Sequence, residues 1–357
     1  MSGAHTVSFA APGISEVDLV GHTMAFEAEP AGADSAGVYL GNTGHWVLNP
    51  IVRPIYRFAK LAHRPIPCNG PLFSRRWVVW ETDLYGYCRP GLLVGRAWFV
   101  LARNRLTGRT YVVDDAYRHG ALHTAGPTIT LSGSVMAWEY PVCRTAGCVG
   151  SDAGYDSVLA VRNLPNGAPH VIRTSHDLSW EVLGNTISLT GNLLSWVQGT
   201  CCLVTDKWTF FVRNLRTQVT TKRQIPDSLP FQAVYGYTAI YLDPRAPYAS
   251  EGRLAAVDLR TNRVTTVGRV CLNSRGPACL EGPRDRRVIR YSVLLDGQVL
   301  VWSDERHGAV DLIARDLRTG RQYLLNRNAS EVEAWSVWRR TVAWVNKPGV
   351  VHLSTIS

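Results

Sequence analysis

Residues 114–123, Asp-Asp-Ala-Tyr-Arg-His-Gly-Ala-Leu-His, bring carboxylates and imidazoles into one short stretch. Asp114, Asp115, His119 and His123 are of the types that hold a divalent metal, because oxygen and nitrogen donors in one loop can converge on an ion. A second group, Ser-Asp-Glu-Arg-His-Gly at 303–308, offers Asp304, Glu305 and His307. With Glu81, Asp83 and Glu139 it supplies the carboxylates from which a glycosidase-like acid and base pair is built. The ordinary state of Asp, Glu and His in polar loops is solvation, and it competes with both readings. Tyr85, Tyr87, Tyr117, Tyr140, Trp180 and Tyr248 suit stacking on sugar rings or anchoring a protein partner, although several are expected to be packed loop core. The sequence contains no G-x-S-x-G elbow, no phosphate-cradling G-x-x-x-x-G-K, no H-E-x-x-H and no sialidase-type S-x-D-x-G-x-T-W box.

The eight cysteines, Cys68, Cys88, Cys143, Cys148, Cys201, Cys202, Cys271 and Cys279, fall mostly in Gly, Pro and polar stretches. No C-x-x-C pair favours a metal, so disulfides in an oxidising compartment are the expectation. Cys143 with Cys148, Cys271 with Cys279, and Cys68 with Cys88 can each close locally; Cys201 and Cys202 remain for a vicinal bridge or for other loops. The start, Met-Ser-Gly-Ala-His, is no leader peptide. We therefore expect an extracellular or periplasmic protein whose leader was removed, with Met1 added. No apolar run is long enough to form a membrane-spanning helix. The net charge of +10 comes almost entirely from arginine, with lysine only at 60, 207, 222 and 347. That charge suits a polyanionic partner, but an Arg-for-Lys bias along a whole chain also follows from base composition.

The elements that must position these residues repeat. Residues 293–304, VLLDGQVLVWSD, read as strand, tight turn and strand with a tryptophan; residues 309–325, AVDLIARDLRTGRQYLL, read as strand, Asp-Leu-Arg-Thr-Gly turn and strand. The same grammar recurs over approximate units 15–48, 71–113, 128–172, 186–221, 231–267, 290–325 and 331–357. The marker aromatics Phe26, Trp80, Trp138, Trp196, Tyr241, Trp302 and Trp344 are expected to end each second strand. Asn104, Asn163, Asn214, Asp258 and Asp316 precede a turn whose N–H groups their side chains can accept, and Gly108, Gly167, Gln218, Asn262 and Gly320 are expected at positive φ. Repeats of this length with period-two alternation predict an all-β, seven-bladed β-propeller of four-stranded antiparallel blades in a single domain. The last unit lacks a fourth strand, and residues 5–11, HTVSFAA, are expected to supply it and close the ring.

GQVLVWSD and VDLIARDLRTGRQYLL make the chain resemble the TolB-type and WD-like propeller repeats of bacterial exported proteins, although the frequent WSPDG turn is replaced by LLDG, LTGN and LSGS. The resemblance implies the architecture and a habit of binding proteins or ligands, and no particular reaction. It implies long loops on one side and tight turns on the other, with Arg75, Arg76, Arg109, Arg216, Arg260, Arg263, Arg318, Arg321, Arg339 and Arg340 at the turns. Polysaccharide lyases on related propellers use metal sites, which gives the group at 114–123 its interest. The reading is a monomeric, non-catalytic module without cofactor, binding a protein or glycan through the long loops, with nucleic acid disfavoured. The alternative is a secreted polysaccharide lyase or glycoside hydrolase, and a divalent metal belongs to that alternative alone.

Overall fold

The computed structural model describes residues 5–10, 14–20, 23–28, 37–42, 45–50, 67–83, 98–119, 127–143, 155–175, 187–199, 208–225, 231–244, 251–271, 293–306, 309–327, 332–346 and 350–356. Among the described residues the strands form seven four-stranded sheets. The chain divides into two compact units, one of Ala10–Trp180 and one of Met1–Phe9 with Glu181–Ser357.

Strand β1 (His5–Ala10) belongs to the last sheet. The unit Ala10–Trp180 then builds three antiparallel sheets in chain order. The first holds β2 (Ile14–Val20), β3 (Thr23–Ala28), β4 (Gly37–Asn42) and β5 (His45–Pro50). The second holds β6 (Pro67–Phe73), β7 (Trp77–Asp83), β8 (Trp98–Asn104) and β9 (Thr110–Asp115), and is followed by the 3-10 helix η1 (Ala116–His119). The third holds β10 (Thr128–Ser132), β11 (Val135–Cys143), β12 (Tyr155–Asn163) and β13 (His170–Ser175).

The other unit continues the pattern. Its first sheet comprises β14 (Ile187–Thr190), β15 (Leu193–Gly199), β16 (Trp208–Asn214) and β17 (Thr220–Ile225). Next come β18 (Phe231–Tyr235), β19 (Thr238–Pro244), β20 (Glu251–Asp258) and β21 (Val264–Cys271). The third comprises β22 (Val293–Asp296), β23 (Val299–Arg306), β24 (Ala309–Asp316) and β25 (Gln322–Asn326). The last comprises β26 (Val332–Trp338), β27 (Thr341–Asn346) and β28 (Val350–Thr355), with β1 beside β28 as the fourth strand.

Each marker aromatic is the fourth residue of its sheet's second strand, so it sits mid-strand and not at the strand end that the sequence suggested. Pleating sends alternate side chains to opposite faces, and four of the marker rings pack against the sheet that precedes them within their own unit. Trp302 packs among Ala233, Ile240, Leu254 and Val267 of β18–β21, and Trp344 among Val299, Val301 and Leu312 of β22–β24. Trp138 joins Trp77, Val79, Trp98 and Val100 of the sheet before it, and Tyr241 joins Val197, Trp208 and Phe210. Burying one large ring between neighbouring sheets removes enough apolar area from water to hold a pair of them together.

The third strands of five sheets end on the Asn or Asp named from sequence. In four, the side-chain Oδ1 accepts two successive N–H groups: Asn104 from Leu106 and Thr107, Asn214 from Arg216 and Thr217, Asp258 from Arg260 and Thr261, Asp316 from Arg318 and Thr319, all at 2.8–3.2 Å. Gly108, Gln218, Asn262 and Gly320 then take the expected positive φ. The turn after Asn163 departs from this. Pro165 stands where the other turns offer the first N–H and has none to give, and Gly167 does not adopt positive φ. Glycine is required there for space, since a Cβ would lie 2.7 Å from the Asn163 carbonyl oxygen.

The residue after the Asn or Asp donates its N–H to the first turn of the same sheet, as Leu215 to Asn192, Leu259 to Tyr237 and Leu317 to Gln298. Ile356 makes the same bond to Arg340, so the last sheet's third strand runs to the same point as the others. Its fourth strand is the one taken from the N-terminus. Arginines just before the turns tie sheets together: Arg162 Nη1 donates to the Val113 carbonyl at 2.6 Å and Arg315 Nη1 to that of Val267 at 2.5 Å.

Candidate functional site

The group at 114–123 is not a free loop. Asp114 and Asp115 are the last two residues of β9, both buried, and His119 ends η1. Asp115 caps that helix: its Oδ1 accepts the Arg118 N–H at 3.0 Å and its Oδ2 pairs with Arg118 Nε at 3.0 Å. Asp114 Oδ1 lies 2.8 Å from His119 Nε2 and accepts the Asp115 N–H at 3.0 Å, while Oδ2 accepts the indole N–H of Trp138 at 2.7 Å. One carboxylate thus joins β9, η1 and the marker ring of the next sheet.

The His119 ring rests against two aromatics that also touch each other, with centroids 4.1 Å from Tyr140 and 5.9 Å from Trp98, the latter stacked. Its side chain keeps 19% exposure. Burial, and next the Asp114 charge, push the Tyr140 hydroxyl up to about 12, so it stays a neutral phenol. Arg162 bonds the Val113 and Pro165 carbonyls, and its guanidinium is lowered chiefly by burial and secondly by Arg118, with Asp114 opposing. The arrangement offers an oriented imidazole on a bed of aromatic rings, able to hydrogen-bond or to stack on a planar or pyranose face. Nothing in the residue spacing signalled the Asp114–Trp138 bond, because it forms between sheets.

Tyr140, expected among the ligand-binding aromatics, is buried at 7% exposure and belongs to the core with Trp98 and Trp138, since its place two residues after the marker returns it to the same face. Tyr117 is exposed at 55%, its ring tilted against Phe99. Glu81 is buried on β7, where alternation with Trp77 and Val79 turns it toward the β10–β13 sheet. Glu139 occupies the opposite face of β11 from Trp138 and Tyr140, and its Oε1 accepts the Ser157 hydroxyl. Glu81 and Glu139 therefore project from neighbouring sheets, Glu139 from the face of β11 opposite Trp138 and Tyr140.

Asp304 and Glu305 are strand residues of β23, opposite Asp311 and Val310 in register, and not loop residues. Cys68, Cys143 and Cys271 likewise lie in strands β6, β11 and β21. His123, His307, Tyr85, Tyr87, Trp180, Tyr248, Cys88, Cys148, Cys201, Cys202 and Cys279 lie outside the described residues. Among the described residues no group of three His, Cys, Asp or Glu is placed to hold a metal ion. Also among them, no helix is long and apolar enough to cross a membrane.

No family model matches the chain, and no curated protein does. Solved structures do. An oligogalacturonate lyase in complex with manganese superposes with TM-score 0.58 at 11% identity, over 99% of this chain and 91% of that one. The β-propeller domain of the Trilobed protease from Pyrococcus furiosus gives TM-score 0.57 at 9% identity, over 96% and 92%. The fold is a β-propeller. A prolyl endopeptidase gives TM-score 0.56 at 11% identity over 94% of this chain, which spans 45% of that protein's length. The TolB-type likeness read from the repeats remains a likeness, since identities of this size establish the fold alone.

Within the propeller Glu139 carries a pH dependence. Burial raises its carboxyl to about 7, with the Ser157 hydroxyl opposing. The folded state therefore binds the proton more tightly than an unfolded glutamic acid, whose pKa is about 4.3. The stabilisation is complete below that value and is lost as pH rises through about 7. Chemical denaturation at pH 5 and pH 8 is expected to show wild type losing more stability over this interval than Glu139→Gln. Equal losses would mean the carboxyl titrates normally.

Proposed function

We propose that the seven sheets are the blades of one closed ring, joined by β1, and that this single domain is an exported, monomeric, non-catalytic binding module. Its partner is a protein or glycan, recognised on the side of the long second-to-third-strand loops, where disulfides stiffen the connections. The observation carrying this reading is the Asp114 bridge to Trp138 and His119, which commits the carboxylate to holding a partly exposed imidazole on a buried aromatic bed. Asp115 is similarly spent on η1, and Tyr117 stands exposed beside it. A glycan array followed by titration of the best hit tests the reading. His119→Ala and Tyr117→Ala are each expected to weaken binding by about tenfold, in line with aromatic anchors at interfaces. Unchanged affinity in both would reject this surface, and non-reducing mass spectrometry of exported material tests the disulfides.

A second reading, a polysaccharide lyase or glycoside hydrolase, draws on Glu139, whose carboxyl is raised to about 7, the range of a general acid. The similar oligogalacturonate lyase makes oligogalacturonate with manganese the substrate to try. Unsaturated product formed by wild type and abolished in Glu139→Gln would favour this reading over the first.

A further inference from the structure

We infer that the tight-turn side of the unit Met1–Phe9 with Glu181–Ser357 binds an acidic polysaccharide. The turns β16–β17, β20–β21 and β24–β25 place Arg216, Arg260 and Arg318 in one repeated frame, each backbone N–H fixed on the preceding Asn or Asp at 2.8–2.9 Å. Arg263 and Arg321 occupy a second repeated frame, their N–H groups directed to Thr261 and Thr319. All five are exposed. Consecutive sheets of this unit thus repeat the same cation at the equivalent position of the turn.

Among the described residues, three acids at this unit's turns are already engaged. Asp258 holds Arg260 at 3.0 Å, Asp316 holds Arg340 at 3.2 Å, and Asp296 accepts the Arg339 N–H at 2.7 Å. Arg216, Arg263, Arg318 and Arg321 form no close ion pair among the described residues, although Asp316 feels the Arg318 charge, so each of the three turns offers at least one exposed fork. Guanidinium forks bind carboxylate and sulfate oxygens in pairs. A linear chain bearing such groups at intervals can bridge successive turns, which a small anion cannot.

The aromatics decide against nucleic acid. Single strands bind through bases stacked on exposed rings. Here Tyr237 and Trp338 are covered by cations, with Arg260 5.4 Å and Arg339 4.6 Å above their ring centres.

The test uses heparin as probe. Wild type is expected to be retained on immobilised heparin and released as salt rises, because bound counterions are exchanged for protein cations. Arg321 and Arg327 flank strand β25 at its two ends, both exposed, so Arg321→Glu and Arg327→Glu change net charge equally on opposite sides. We expect Arg321→Glu to weaken heparin-oligosaccharide binding about tenfold, by analogy with loss of one strong ionic contact, and Arg263→Glu/Arg321→Glu to abolish retention. Arg327→Glu is expected to bind as wild type does, and thermal melting of each variant verifies folding. Equal weakening by Arg321→Glu and Arg327→Glu would reduce the effect to net charge and overturn the site. Absence of retention, or stronger competition by single-stranded DNA or polyglutamate than by heparin, would overturn it too. His119→Ala and Tyr117→Ala leave this surface intact, so failure of the loop-side reading is read out separately.

Discussion

Trp302→Ala is expected to lower unfolding free energy by about 3–5 kcal/mol, the range for emptying a large aromatic from a packed core. The ring is 1% exposed and fills the space between the β18–β21 and β22–β25 sheets. Its indole N–H is buried without a partner among the described residues, so packing supplies what it contributes. The fit extends to the neighbouring backbone, for a Cβ at Gly268 would lie 2.9 Å from Trp302 Cζ2. Gly268→Ala is therefore expected to destabilise wild type and to be nearly neutral with Trp302→Ala, a coupling that denaturant titration of all four proteins measures. If Gly268→Ala costs the same in both backgrounds, the ring is not what the glycine accommodates.

Asp114→Ala is expected to cost about 3 kcal/mol or more, since each buried donor left unsatisfied costs roughly 1–3 kcal/mol. It orphans the Trp138 indole N–H and frees the His119 ring. Asp114→Asn keeps the shape but turns one acceptor into a donor, so about half that loss is expected. In a Trp138→Phe background the indole donor is gone and Asp114→Ala becomes milder. Additive losses would show that the bridge contributes little. Under the proposed function either Asp114 variant also weakens ligand binding while Tyr117 remains in place, which separates positioning from contact.

Much of this architecture was readable because its determinants are local. An Asn or Asp at the end of a third strand bonds N–H groups two and three residues ahead, and Gly or Asn at the fourth following position relieves the positive φ; both are visible within six residues. Gly167 was misread for an equally local reason, Pro165, whose missing N–H changes the turn. The marker aromatics could be found by type and spacing, yet their mid-strand position could not, because strand ends depend on how far neighbouring strands pair.

The candidate site was less legible. Asp114 and Trp138 are 24 residues apart in different sheets, and no residue pattern encodes their bond. Tyr140 and Glu139 are neighbours in sequence, but alternation sends one into the core beside His119 and the other to the far face beside Ser157. Acidic and imidazole side chains clustered at 114–119 indicated chemistry, whereas the fold uses them as a cap and a bridge.

The amino-acid sequence by itself determined the repeated four-stranded unit, its turns and the loan of residues 5–10 to the last sheet, because period-two hydrophobicity and turn residues act over a few positions. Tertiary structure alone decided which charged groups were consumed and which were left to solvent. Hydrogen bonds such as Asp114 to Trp138 form only when separate sheets have packed, so the partners of an enclosed carboxylate are set by packing and not by residue spacing.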